Sequence, residues 1–274
     1  MKENTVVVCL FGIVNRSITC TWERIKSNII KHLEKNGFHV VVYVFNLICD
    51  NGLIDNANVH NEAHNMVPAQ IYESKLQSEL DKDIDVYVNS VSHGISYVDW
   101  YTDNQIRNTM RQMYSEYRVG LFLRKRLSDY DYAIVCGPDY YLTQKVNIDD
   151  LNRSKSDRRV YVSDVNPGMN GYTNGYYMSN NILDVSRLLC RYESILPYLN
   201  GFEGDYEQLL KKYCDFHNIK TALTDQVFFK IRANKTIFWQ GFNEKHKRNI
   251  HNQNEYAHVI RKYGLKPQTK FERK

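Results

Sequence analysis

The sequence predicts an α/β fold, a mixed but mainly parallel sheet flanked by helices, and three observations carry that prediction. Apolar, β-prone runs alternate with helix-period stretches through the first half of the 274-residue chain. The run at 132–136, Tyr-Ala-Ile-Val-Cys, is uniformly apolar between polar and turn residues, as a strand covered on both faces is. Gly137 and Pro138 then stop it, because proline has no N–H for further pairing and the chain must leave the sheet. Asp139 stands at that exit. In an open α/β sheet, ligands bind in the crevice outside the carboxyl ends of the strands, which puts Asp139 on the expected ligand edge.

The elements follow in order. A strand at 6–11 ends in Gly12 and leads through the polar loop Asn15-Arg16-Ser17 into a helix over about 21–36, where Trp22, Ile25, Ile29, Ile30 and Leu33 recur at helical spacing. Gly37 suits the left-handed position after that helix. A second strand is expected at 40–45, and the Asn-rich stretch 47–65 reads as a long surface loop. A third strand is expected at 84–89. Between it and 132–136, Ile106, Met110, Met113, Tyr114, Tyr117, Leu121 and Leu127 mark one long amphipathic helix over 103–127.

Beyond Asp139, residues 143–158 read as a polar excursion, 159–163 as a short strand and 164–175 as a glycine-bearing loop able to lie close to a ligand. Extended structure resumes at 176–178. Helices at 182–191 and 206–216 precede extended segments at 220–222 and 227–232. No Pro/Gly/Ser-rich linker divides the chain, so 1–243 reads as a single catalytic domain and 244–274 as a basic, peripheral C-terminal tail.

Composition narrows the function classes. The balance of 36 Lys+Arg against 31 Asp+Glu gives a net charge of +5, with basic residues gathered at 230–274 and 152–159 rather than in one stripe. A phosphate-bearing ligand suits this charge, and a nucleic-acid role is not demanded. The six cysteines show no C-x-x-C spacing and read as reduced thiols of a cytosolic protein. No apolar run approaches the ~20 residues of a membrane span, and the first five residues are too short for a signal peptide. The expected protein is soluble and intracellular.

Several clusters compete as sites. Gly12 and Arg16 after the first strand combine close backbone approach with a forked cation, which suits a pyrophosphate; a plain turn beside a solvated arginine explains them too. Arg107, Arg111 and Arg118 share one helical face that could present guanidinium groups to phosphates, or be an ordinary solvated face. His60 and His64 form the one H-x-x-x-H pair, with Glu62 one place off the zinc-protease pattern. Asp129 and Asp131 spell D-x-D, as do Asp81, Asp83 and Asp85 pairwise, but both sets are expected at strand entrances, where turn-forming acids are common. Asp139 is the metal candidate, since a divalent ion on a diphosphate needs only one or two protein carboxylates.

The segments Leu10-Phe11-Gly12-Ile13-Val14-Asn15-Arg16-Ser17, Met110-Arg111-Gln112-Met113-Tyr114-Ser115, Tyr130 through Asp139, and Phe228 through Asn234 resemble, in that order, the GT-A-fold nucleotide-sugar-dependent glycosyltransferases of giant viruses and bacterial surface-polysaccharide loci. The resemblance spans most of residues 5–240. It implies a GT-A (Rossmann-like) domain, with Gly12 and Arg16 on the nucleotide and phosphate side and Asp139 as ligand of Mn2+ or Mg2+. It also implies a nucleoside-diphosphate-sugar donor, an oligosaccharide or glycoprotein acceptor, and a cytoplasmic setting, that of the host for a viral protein. Arg107, Arg111 and Asn174 join the candidate donor-binding residues. The chain departs from the family pattern at Gly137, where Arg is frequent, and at Asn174, where an acid near the acceptor is frequent.

An inverting transfer needs a carboxylate or His within hydrogen-bond reach of the acceptor hydroxyl. Asp164 is the first candidate, from its loop after a strand on the ligand edge, followed by Asp205 and by Glu207 near a helix start, where acids are commonly caps or dipole partners. The leading expectation is a glycosyltransferase. A catalytically weakened nucleotide- or glycan-binding protein on the same fold is the alternative, and a nucleic-acid-binding protein using the basic tail is the third.

Overall fold

The computed structural model describes residues 4–54, 57–59, 62–92, 103–166, 171–194, 206–239 and 242–268. Its principal sheet has seven strands: β1 (Asn4–Gly12), β2 (Phe38–Ile48), β5 (Ile71–Leu76), β6 (Tyr132–Cys136), β8 (Val160–Ser163), β9 (Tyr176–Ser179) and β10 (Thr221–Thr224), in the spatial order β10-β8-β9-β6-β1-β2-β5. Every neighbouring pair is parallel except the two made by β9, which runs against β6 and β8. The exits of β1, β6 and β8 and the start of β9 therefore share one edge.

The alternation of side chains builds the layers. Val7, Cys9 and Phe11 of β1 enter one buried cluster, and Val6, Val8 and Leu10 enter another on the opposite face. Helices cover both faces, which is why the strands read as unbroken apolar runs. A second sheet, β13-β12-β11-β7, is formed by β7 (Tyr140–Leu142), β11 (Phe228–Ile231), β12 (Thr236–Phe238) and β13 (Lys266–Pro267). It grows directly out of the Asp139 turn, and a third apolar cluster around Tyr141, Phe229 and Phe242 lies behind it. The remaining strands, β3 (Leu53–Ile54) and β4 (Ala57–Asn58), make a small hairpin inside the stretch expected as a loop.

Local chemistry explains several boundaries. Four helices start on asparagine: Asn147, Asn181, Asn243 and Asn249 each accept a backbone N–H of the first turn through the side chain, a cap worth about 1 kcal/mol apiece. Gly37 has φ +81°, the left-handed conformation expected after the first helix. That helix runs from Ile18 to Lys35 with a π-helical stretch at Lys26–Ile30.

Three expectations are corrected. Residues 84–89 are not a strand but part of the helix Gln77–Ser92, where Leu80, Ile84 and Val88 recur every four residues and are buried. The third strand is β5, whose sequence Ile-Tyr-Glu-Ser-Lys-Leu alternates half-buried and exposed positions at the sheet edge. The tail from 244 is not merely peripheral, since the helix Ile250–Tyr263 buries Val259, Leu265 follows it into the third cluster, and β13 pairs with β12. The polar stretch 143–158 likewise holds the helix Ile148–Asp157. No helix among the described residues is long and apolar enough to cross a membrane.

Candidate active site

The strand order reverses between β1 and β6, because the chain builds outward from β1 to β2 and β5 and then returns to pair β6 on β1's other side. At such a switch point the loops leaving the two strands diverge and open a crevice. Gly12 ends β1 with φ +102°, a conformation that favours glycine, and a Cβ there would meet nothing within 4 Å, so the strand exit borders open space. The turn Val14–Arg16 follows, pinned by Val14 N–H donating to Asn46 Oδ1 (3.1 Å) and by Asn15 Oδ1 accepting the His64 N–H (2.7 Å). Ser17 donates its hydroxyl to the Ile231 carbonyl, and Thr21 donates its own to the Pro138 carbonyl.

This anchoring brings Arg16 to Asp139 across the switch point, Nη1 to Oδ2 at 3.8 Å, with side chains 20% and 14% exposed. Two of the expected donor-side residues thus meet, 123 positions apart in sequence. The Asp139 turn is itself tightly built. Gly137 N–H donates to the Gly175 carbonyl (3.0 Å), and Ile231 N–H donates to the Asp139 carbonyl (2.9 Å). A Cβ at Gly137 would lie 2.9 Å from the Tyr140 ring and 3.0 Å from Asp139 Oδ1. The Tyr140 ring stacks on Phe228 at 4.0 Å, and its hydroxyl donates to the Asn174 carbonyl (2.6 Å). Gly175, with φ +83°, is required there, since a Cβ would sit 2.3 Å from that hydroxyl.

Lys230 lies opposite Tyr140 in the β11–β7 register, its ammonium over the Tyr140 ring (5.3 Å to the centroid) and 3.3 Å from Asn174 Oδ1. Burial pushes its pKa below the ordinary lysine value, an effect that the carboxylates of Glu207 and Asp139 oppose. The Asn174 amide is fixed on both sides: Oδ1 also accepts from Gln112 Nε2 (3.0 Å), and Nδ2 donates to Glu207 Oε1 (3.1 Å). Gln112 extends the network to Glu116 Oε1 (3.0 Å), and the fully buried Glu116 pairs with the fully buried Arg191, which also donates to the Tyr206 hydroxyl. Removing one partner of such a buried pair typically costs about 3–5 kcal/mol, so this pair braces the Gln112–Asn174 network from within.

Other candidates lie elsewhere. Asp164 leaves β8 on the same edge, but its carboxylate is held by His246 Nε2 (2.7 Å) and Lys245 Nζ (2.6 Å). Burial alone would raise its pKa, yet the hydrogen bonds and charges of His246 and Lys245 hold it below the usual carboxylate value. A carboxylate so engaged is a poor proton acceptor. Arg107 and Arg111 do not present a cationic face, because they pair with Asp85 (2.7 Å) and Asp81 (2.5 Å) of the neighbouring helix Gln77–Ser92. Arg118 likewise pairs with Glu73 of β5 at 2.9 Å. The acids at 81–85 therefore stand on a helix rather than at a strand entrance. Asp131 does sit at the entrance of β6, where Oδ2 accepts the Thr5 N–H (2.9 Å). Asp205 lies outside the described residues. Gln112 and Lys230 lie in segments that carry the resemblance but were given no role from the sequence, and for the buried pair Glu116 and Arg191 the arginine inside the apolar pattern of 182–191 was the available signal.

The residues around Asp139 do not fit a protein-held divalent cation. Arg16 faces the carboxylate, the Lys230 ammonium lies over the ring of the next residue, Tyr140, and no group of three or more His, Cys, Asp or Glu side chains converges among the described residues. At position 137, where a second acid of a D-x-D pair would stand, any side chain would have to displace the Tyr140 ring.

No family model matches this sequence, and no curated protein does. Among solved structures, mouse xyloside xylosyltransferase 1 in its apo form is similar to this chain in its course, with a TM-score of 0.43 at 9% identity, covering 81% of this chain and 85% of the other.

Proposed function

We propose that this protein is a GT-A-type glycosyltransferase that moves a sugar from a nucleoside-diphosphate donor to a hydroxyl of an oligosaccharide or glycoprotein. The observation that carries the reading is the meeting of Arg16 and Asp139 across the β1/β6 switch point, at an exit that Gly12 leaves open. A diphosphate laid against Gly12 meets a guanidinium suited to two phosphate oxygens and, farther along, the Lys230 ammonium. Such preorganised cations stabilise the charge that develops on the departing diphosphate. Asp139 is then a positioning residue that holds the cations at the crevice. For an inverting transfer we assign the proton-accepting role to Glu207 in place of Asp164, because Glu207 joins the Asn174–Lys230 network whereas Asp164 is bound to His246 and Lys245.

The alternative, a protein that binds a sugar nucleotide without transferring the sugar, is favoured by Asn174, whose amide cannot take a proton and is held by Gln112, Glu207 and Lys230. Incubation with a panel of nucleotide sugars, following nucleoside diphosphate released with and without glycan acceptors, separates the two. Release that rises with an acceptor supports transfer. Thermal stabilisation by a donor with no release supports binding alone, and neither effect with any donor contradicts both.

A further inference from the structure

We infer that the diphosphate of the donor is held by Arg16 and Lys230 in place of a divalent cation, so that a nucleoside diphosphate binds this site without metal. The inference rests on the donor reading and goes beyond it by naming what neutralises the phosphates.

Three observations carry it. The first is steric: Asp139 has no second acid two positions earlier, and a side chain there would crowd the site, because a Cβ at Gly137 would lie 2.9 Å from the Tyr140 ring and 3.0 Å from Asp139 Oδ1. The second is electrostatic. A divalent ion takes oxygen ligands at roughly 2.0–2.6 Å. One bound to Asp139 Oδ2 would share that oxygen with the like charge of the Arg16 guanidinium, which stands 3.8 Å from it.

The third is the placement of Lys230. Its ammonium is fixed by Asn174 Oδ1 at 3.3 Å and by the Tyr140 ring, immediately after Asp139 in the chain. Arg16 and Lys230 thus approach the Asp139 turn from different elements, the turn after β1 and strand β11. Arg supplies a planar fork and Lys a compact point charge, and phosphate binds both. During transfer the bond from the sugar to the diphosphate oxygen breaks, and its electron pair stays on that oxygen. The acceptor oxygen forms the new bond to the sugar, and its proton passes to a carboxylate. The two cations undergo no chemistry and remain in place.

The test is calorimetric titration of the full chain with UDP, GDP, CDP and ADP and with the matching nucleosides, first in EDTA and then with excess Mn2+ or Mg2+. The expected result is at least one nucleoside diphosphate whose Kd agrees within about twofold between the two buffers. Lys230→Met and Arg16→Met should each weaken that diphosphate by roughly tenfold or more, as loss of a charge-assisted hydrogen bond does, and leave the nucleoside unchanged. Binding that vanishes in EDTA and returns with Mn2+ would overturn the inference and leave the donor reading standing, as would unaltered affinity in both variants. Absence of any diphosphate binding by the folded wild-type chain in either buffer would overturn the donor reading and the inference with it. The chelator comparison uses the unaltered chain, so it decides even where a variant fails to fold.

Discussion

Asp139 and Asp164 leave parallel strands of one sheet at the same edge, two strands apart, and meet different partners. Burial does not separate them, since their side chains are 14% and 8% exposed. Partners do. The Asp164 carboxylate takes short bonds from His246 and Lys245, which tie β8 to the C-terminal helices. The Asp139 carboxylate has Arg16 at 3.8 Å, beyond hydrogen-bond length, and no hydrogen bond reaches it among the described residues. A strand-exit acid is thus a fastener when short hydrogen bonds from the protein satisfy its oxygens, and a candidate for function when they do not.

Exchanging the carboxylate for an amide should split the pair most widely. Asp139→Asn is expected to lower transfer by roughly 10²–10³-fold, the range for a lost electrostatic element of an active site, with the thermal midpoint little changed. Asp164→Asn should do the reverse, losing about 2 kcal/mol of stability, or roughly 4–8 °C in Tm, while nucleotide affinity holds. If Asp164→Asn abolishes turnover of a protein that melts normally, the contrast fails.

How much of this was legible depended on locality. The bounds of β6, the opening of β1 into Gly12 and the placement of Asp139 follow from short, uniformly apolar runs with sharp stops, which the chain shows within a few residues. β5 was hidden because an edge strand keeps one face in water and reads as mixed polarity, and the Ile84–Val88 stretch misled because its β-branched residues satisfy a helix face as well as a strand. The site divides the same way. Gly12, Arg16 and Asp139 stand at exits that the sequence marks, whereas Lys230, Gln112 and Glu116 meet Asn174 and Arg191 only because the strand order folds distant segments onto one edge. The His246 and Lys245 bonds to Asp164 were invisible because the segment that supplies them reads as a solvated tail.

A pH series sharpens the comparison at a smaller scale. Because the folded-state pKa of Asp164 is lowered, its contribution is present above the unfolded carboxylate value of about 3.9 and is lost as pH falls through the folded value. The stability gap between wild type and Asp164→Asn should therefore hold from neutral pH to about pH 5 and close below about pH 4, read from urea midpoints. A gap that instead widens on acidification would contradict the assignment. The smallest effect is expected at the paired helix face. Arg111→Ala should change stability by no more than about 1 kcal/mol, as partly exposed ion pairs do, and leave nucleotide affinity unchanged. A tenfold loss of affinity there would return that face to the site.

Hydrogen exchange across the whole chain, with and without the nucleotide sugar that most raises the thermal midpoint, tests the central claim most directly. The account predicts protection at 12–17, 137–142 and 228–231, the three segments that meet at the switch point, with 164–166 and 243–247 unchanged. Protection confined to 106–118, or to the Asp164 segment, would place the ligand elsewhere and contradict the assignment of the β1/β6 crevice.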